Sequence, residues 1–375
     1  MTCDFLELAA PGVRGLTPYQ PGKPESELAR EFGLDEADIV KLASNENPLG
    51  PSPRALAAIQ ACLDHLHRYP DGGGYLLKSK ISEKFGLPLD GITLGNGSND
   101  LLDIIARTFL TSAHNAVMSA HAFAVYPIAT QAVGAELRVV PANAPDHEQP
   151  YGHDLAAMRA RIDERTRVVW IANPNNPTGT WLDPAALEDF VAGLPPTTVC
   201  VLDEAYIEFM DPALRPDSLH WVARYPQLIV TRTFAKAYGL PGVRVGYALA
   251  HAQVTDLLNR VRAPFNVNTP ALVGAAAALD DEDYVARGVA NNRAGMAQWQ
   301  QGLRALGLGW LPSAGNFLCV DLGRPGLEVF KALLPKGVIV RPVANYGLPN
   351  FVRITIGTER ENAIALRALG EVLGR

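Results

Sequence analysis

The apolar positions of this chain alternate between two periods. From residue 92 onward, short and nearly all-apolar runs separate longer segments whose apolar residues recur every three or four positions. The runs at 92–94, 117–119, 136–140, 167–172, 198–202, 228–231 and 243–249 read as strands. Those at 101–110, 125–133 and 154–162, with another begun by Asp183 and Pro184, read as helices. Strands this apolar are buried on both faces, so the pattern predicts a mainly parallel sheet covered by helices on both sides. In such a fold, ligands bind at the carboxyl ends of the strands. Ahead of it, 25–32 suits a short helix, and Pro53 opens an amphipathic helix over 53–66 whose Leu56, Ile59, Leu63 and Leu66 form the apolar stripe.

Beyond residue 254 the pattern changes. Helical stretches at 254–261, 270–279 and 283–306 lead to short strands at 317–320, 338–341 and 351–356, and Thr358 with Glu361 spells a capping box for a last helix. This is the pattern of a smaller α+β unit. The expected organisation is an α/β fold of two parts: a large domain over 46–260, a small one over 261–375, and an arm over 1–45 that joins the small one.

Composition narrows the class. At 375 residues the chain exceeds one ordinary core. A hydrophobic share of 48% and mean hydropathy of +0.03 mark a folded globular protein. A net charge of −6 and the lack of a basic stripe argue against nucleic acid. No apolar run approaches the roughly 20 residues of a membrane span. The start, MTCDFLELAAPG, lacks the basic beginning and long apolar core of a signal peptide. The four scattered cysteines include no CxxC pair, which fits free thiols in a cytoplasmic protein and suggests no metal site.

The chemistry gathers at the predicted strand ends. The stretch TRTFAKAYGLPGVRVGY over 231–247 places Lys236 among backbone breakers, with Arg244 eight positions on (244 − 236 = 8). A surface lysine needs no such setting, whereas a Schiff-base lysine must be held at one point and partly desolvated. GNGSND over 95–100 lies between a strand and a helix, where free N–H groups meet an anion; Ser98 or Asn99 is the expected cap. NPNNPTG over 173–179 and Asp203-Glu204-Ala205-Tyr206 close two more strands. Singly, each reads as a turn, a cap or a surface ion pair. Together they supply an anion cradle, a cation, a carboxylate, an amide and a lysine, a set that suits a phosphorylated, cationic heteroaromatic aldehyde.

These segments, with SNENP over 44–48 and VRITIG over 352–357, occur in the order of the fold-type-I pyridoxal-phosphate aminotransferases, and the chain resembles that family over essentially its whole length. GVRGLTPYQPGKP, RYPDG, HAFAVYP and RPVANYGLPNFVRITIG resemble its histidinol-phosphate aminotransferase branch. The resemblance implies pyridoxal 5'-phosphate held by Lys236, with Asp203 on the pyridine nitrogen and Asn176 and Tyr206 on the ring oxygen. Phe123 would stack on the ring, where family members often carry tyrosine. Asn96, Gly97, Ser98, Thr233 and Arg244 would hold the phosphate. Ala235 stands where relatives often carry serine, so one phosphate contact is expected to be missing. Tyr69 would reach the phosphate from a second subunit, making the enzyme a homodimer. Arg353 would clamp the substrate anion, with Arg341, Asn47 and Tyr19 lining the pocket.

The implied reaction is amino transfer between L-histidinol phosphate and 2-oxoglutarate, giving imidazole-acetol phosphate and glutamate, within histidine biosynthesis. An aromatic amino-acid aminotransferase and a threonine-phosphate decarboxylase share most of this residue set. A phosphate-binding module without pyridoxal would explain GNGSND but leave Lys236, Asp203 and Asn176 unused, and no GxxxxGK[ST] occurs. A catalytically dead cofactor-binding regulator would not need every catalytic position filled. A serine hydrolase lacks its GxSxG elbow.

Overall fold

The computed structural model describes residues 3–375. Strand β1 (Val40–Lys41) precedes seven strands, β2 (Ile92–Gly95), β3 (Asn115–Ser119), β4 (Glu136–Val140), β5 (Thr166–Ala172), β6 (Val199–Asp203), β7 (Leu228–Thr233) and β8 (Gly246–Leu249). These seven form one sheet in the order β2-β8-β7-β6-β5-β3-β4. Strands β3 to β7 pair in parallel, while β8 runs antiparallel to both of its neighbours. The exception has a local cause. A parallel return needs a crossover of a dozen or more residues, usually a helix. The 234–245 loop contains no helix, so the chain folds straight back and pairs Thr233 with Gly246. That hairpin carries Lys236.

Apolar clusters cover both faces of the sheet. One gathers Val169, Leu202, Val230 and Phe234 with the helix Thr269–Leu279; the other gathers Leu101, Ile105, Tyr126 and Trp170. Four short strands, β9 (Gly309–Trp310), β10 (Phe317–Asp321), β12 (Arg341–Pro342) and β13 (Phe351–Thr355), form a second, antiparallel sheet. It packs its own core with the helices Glu282–Ala305 and Glu359–Leu373. The remaining strand, β11 (Val338–Ile339), pairs in parallel with β1, tying the N-terminal segment to this C-terminal part.

Three expectations are corrected. The α-helix begun by Pro53 ends at Cys62 and continues as a 3-10 turn over Leu63–His65; Leu56, Leu63 and Leu66 face outward, Ala55 and Cys62 are buried, and of the expected stripe Ile59 packs against the core. The helix lies against Thr269–Leu279 at Gly274, where an added Cβ would meet Ile59 Cδ1 at 2.8 Å. The strand expected over 243–249 begins only at Gly246, because Arg244 takes a left-handed backbone (φ 60°) that ends extended structure. The helix after β2 has Gly97 as its N-cap and makes no side-chain cap hydrogen bond, so neither Ser98 nor Asn99 caps it.

The capping box at the last helix forms as expected: Thr358 Oγ1 accepts from Glu361 N–H, and Glu361 accepts from Thr358 N–H at 2.7 Å. Thr358→Ala should therefore lower stability by about 1 kcal/mol, read as a lower denaturation midpoint at unchanged slope.

Candidate active site

The carboxyl ends of β6 and β7 bring the expected groups together. Asp203 is the last residue of β6, in register with Thr231 of β7, and the loop beyond Thr233 turns Lys236 back toward it. One cavity is lined by Tyr19, Ser98, Phe123, Asn176, Asp203, Tyr206, Thr233, Lys236, Arg244, Arg341 and Arg353. Residues from both sheets and from the N-terminal segment thus meet around Lys236.

Lys236 Nζ donates to the Ser44 carbonyl at 2.9 Å. Burial first, then the Arg353 charge, lowers its pKa to about 7, so much of its amine is neutral at neutral pH. Asp203 Oδ2 accepts from the fully buried Tyr126 hydroxyl at 2.9 Å, while Oδ1 is buried with no partner. Burial raises the Asp203 pKa to about 6, against the Tyr126 hydrogen bond. A buried carboxylate oxygen without a partner is costly unless a ligand supplies the donor. Tyr206 is also buried, its pKa pushed up to about 12 by desolvation, and its hydroxyl accepts from Asn45 Nδ2 at 2.9 Å.

Arg353, on β13, donates to Asn176 Oδ1 and to the Ala43 carbonyl, each at 2.6 Å, and leaves a buried Nε unpartnered. Arg341 stands beside it in register, donates to the Gln20 carbonyl at 2.5 Å and lies over the Tyr19 ring. Phe123 meets Tyr126 edge-on at 5.8 Å and presents itself to the cavity.

The free backbone N–H groups of the GNGSND turn lie at Ser98 and Asn99. Asn96 N–H donates to Asp100 and Gly97 N–H to the Gly95 carbonyl, so both are committed. Among the described residues no acceptor meets the N–H of Ser98 or Asn99, and both residues line the cavity. Gly97 still matters: a Cβ there would run into the Arg244 guanidinium, so glycine is what lets that charge close on the helix start. Thr233 and Ala235 also line the cavity. Asn47 does not; its side chain braces the backbone at Ala237 and Leu49. Asn45 holds the place expected of it. Tyr69 is 83% exposed, outside the cavity lining, and stacked on Phe265 at 4.8 Å.

Sequence reasoning missed Asn45, Ser44 and Tyr126. Asn45 adopts φ 54°, a conformation to which asparagine is well suited, but its partners lie 161 and 310 positions away. Tyr126 is an ordinary aromatic on a helix until the fold sets it under Asp203.

The residues fit pyridoxal 5'-phosphate. Asp203 Oδ1 is a free acceptor for a ring N–H, the first turn beyond Gly97 with Arg244 suits a phosphate, and Lys236 offers a near-neutral amine. The chain belongs to a known class: residues 37–369 match the model of aminotransferase class I and II, so it is a member of that family. It is 59% identical over 375 residues to histidinol-phosphate aminotransferase 2 of Pseudomonas fluorescens, covering 100% of both chains. It is 60% identical over 370 residues to the protein of the same description from Pseudomonas aeruginosa, covering 99% of each. Its fold matches the crystal structure of histidinol-phosphate aminotransferase from Sinorhizobium meliloti in complex with pyridoxal-5'-phosphate. That match has a TM-score of 0.88 and 28% identity, and covers 97% of both chains.

The lowered amine pKa has a direct consequence. In cofactor-free protein, acylation of Lys236 should reach half its maximal rate near pH 7, where ordinary lysines need a pH near 10. Peptide mass spectrometry of briefly acetylated protein reads this, and a Lys236 midpoint above pH 9 would contradict the burial argument.

Proposed function

We propose that the chain is a pyridoxal-phosphate-dependent aminotransferase that exchanges an amino group between L-histidinol phosphate and 2-oxoglutarate, yielding imidazole-acetol phosphate and glutamate. The observation that carries this is the placement of Arg353 and Arg341. Two buried arginines from the small sheet face the same cavity as Thr233 at the end of the large sheet, Ser98 at a helix start and Arg244 in the loop between. Arg244 serves the cofactor phosphate and the two small-sheet arginines are left for an anionic substrate. A planar guanidinium accepts either the phosphate of histidinol phosphate or the carboxylate of glutamate, which an enzyme handling both in turn requires. The relatives of about 60% identity support the same substrate.

The geometry supports the following roles. Lys236 Nζ would hold the cofactor, and its amine, when free, would take the proton from the substrate carbon that bears nitrogen. Asp203 Oδ1 keeps a proton on the ring nitrogen, and it does so best as a carboxylate, the form dominant above its pKa of about 6. When bound, pyridoxal phosphate supplies an electron sink for the carbanion. Asn176 and Tyr206 would hold the ring oxygen and Phe123 would cover the ring face. Ser98, Asn99, Thr233 and Arg244 would hold the phosphate. Arg353 exchanges its contact with the Ala43 carbonyl for the substrate anion, Arg341 assists it, and Tyr19 closes the outer wall.

Purified, cofactor-loaded protein mixed with histidinol phosphate and no keto acid should lose its visible absorption within seconds, and phenylalanine should act at least tenfold more slowly. The reverse order would make it an aromatic aminotransferase, for which Arg353 reads a carboxylate. Carbon dioxide release from threonine phosphate would make it a decarboxylase.

The proposed working form is a cytoplasmic homodimer that contacts neither nucleic acid nor membrane. Leu56, Leu63, Leu66, Tyr69 and Phe265 are exposed in the single chain, an apolar surface of the kind a second subunit covers. Tyr69, remote from its own cavity, is assigned to the phosphate of the second subunit's cofactor. The double variant Leu63→Lys/Leu66→Lys should sediment as a monomer and lose most activity, whereas a wild-type monomer in solution would refute the dimer.

A further inference from the structure

Asn45 ties together parts of the chain that are far apart in sequence. Its backbone N–H donates to Thr355 Oγ1 at 2.9 Å, and Asn316 Nδ2 donates to its carbonyl at 3.1 Å, so the residue is fixed to the small sheet. Thr355 Oγ1, having accepted from that N–H, gives its own proton to Asn45 Oδ1 at 3.2 Å. This sets the orientation of the amide and leaves Nδ2 as the only group available for the Tyr206 oxygen, to which it donates at 2.9 Å. Asn45 and Tyr206 are both buried and both line the cavity.

We propose that Asn45 is a positioning residue that makes Tyr206 a hydrogen-bond donor toward the cofactor. A phenol has one proton. With its oxygen already accepting from Asn45, Tyr206 keeps that proton for the cavity, and the donated hydrogen bond also strengthens it as a donor. The proposal rests on the reading above in which Tyr206 meets the cofactor's ring oxygen. Donation to that oxygen favours the proton-poor form of the cofactor held on Lys236. A weakened donor therefore raises the pKa seen in the visible absorption.

Two variants separate this role from simple bracing. Asn45→Gly keeps the left-handed backbone of φ 54° and removes the amide. Asn45→Asp keeps the oxygen that Thr355 requires but loses the donor, and its carboxylate draws the Tyr206 proton away from the cavity. In pH titrations of the full-length, cofactor-loaded protein, Asn45→Gly should raise the absorption pKa by about 0.7, roughly a fivefold change in the equilibrium constant. Asn45→Asp should raise it further. In a Tyr206→Phe background the Asn45→Gly shift should vanish, while Asn45→Asp keeps only the direct effect of its charge. An unmoved titration in Asn45→Gly, an Asn45→Asp value nearer wild type than Asn45→Gly, or an Asn45→Gly shift that persists in Tyr206→Phe would each overturn the proposal. If Tyr206→Phe alone leaves the titration unmoved, the role of Tyr206 falls as well; if it moves and Asn45→Gly does not, only the Asn45 role falls.

Discussion

The site depends on burying one amine without a counter-ion in contact. Lys236 is held by a carbonyl, not a carboxylate, and it feels the like charges of Arg353 and Arg244 as well as the opposite charges of Glu46 and Asp203. Desolvation and the two arginines together outweigh the carboxylates and favour the neutral amine. Nothing in the 231–247 stretch accomplishes this alone. It requires the hairpin of Leu228–Thr233 with Gly246–Leu249 to present the lysine, the small sheet to bring Arg353, and the 43–45 segment to close over it.

That segment explains how two sheets with separate cores act on one cavity. Ala43 receives Arg353, Ser44 receives Lys236, and Asn45 reaches Tyr206. Arg353 and Thr355 lie two apart on one strand and so share a face, from which they grip residues 43 and 45. Asp203 Oδ1 and Arg353 Nε are among the buried side-chain atoms without a hydrogen-bond partner, and both residues line the cavity. Behind Asp203 the stacked Tyr126 and Trp170 have their polar atoms satisfied, by Asp203 and Thr130.

The phosphate end shows a related economy of backbone. Gly97 takes φ 81° and admits the Arg244 guanidinium, while Arg244 itself takes φ 60°, unusual for a side chain of its size. The two left-handed residues face each other across the first turn of the Ser98–Phe109 helix. The turn consumes the N–H groups of Asn96 and Gly97 internally, which leaves those of Ser98 and Asn99 for an anion. A strand-turn-helix layout announces such a cradle but does not tell which amides remain free.

The chain itself determined its element types, the parallel sheet and the identity of the central residues, because apolar period, glycine breaks and polar strand ends are local signals. Lys236, Asp203, Tyr206 and Asn176 were legible as strand-end residues, Arg353 only through the family resemblance of VRITIG, and the capping box at Thr358 as a spacing. Tertiary structure decided the rest. Whether Leu56, Leu63 and Leu66 face a core or solvent depends on where the Thr269–Leu279 helix packs, not on their period. Whether Asn45 or Asn47 enters the cavity depends on a positive φ and on Thr355, which lies 310 residues away from Asn45. A single strand reversal, forced by a loop without a helix, put Lys236 and Arg244 at the same end of the sheet. Spacing along a sequence reports the conformation of a segment, whereas burial and partnership are properties of segments that meet only after folding.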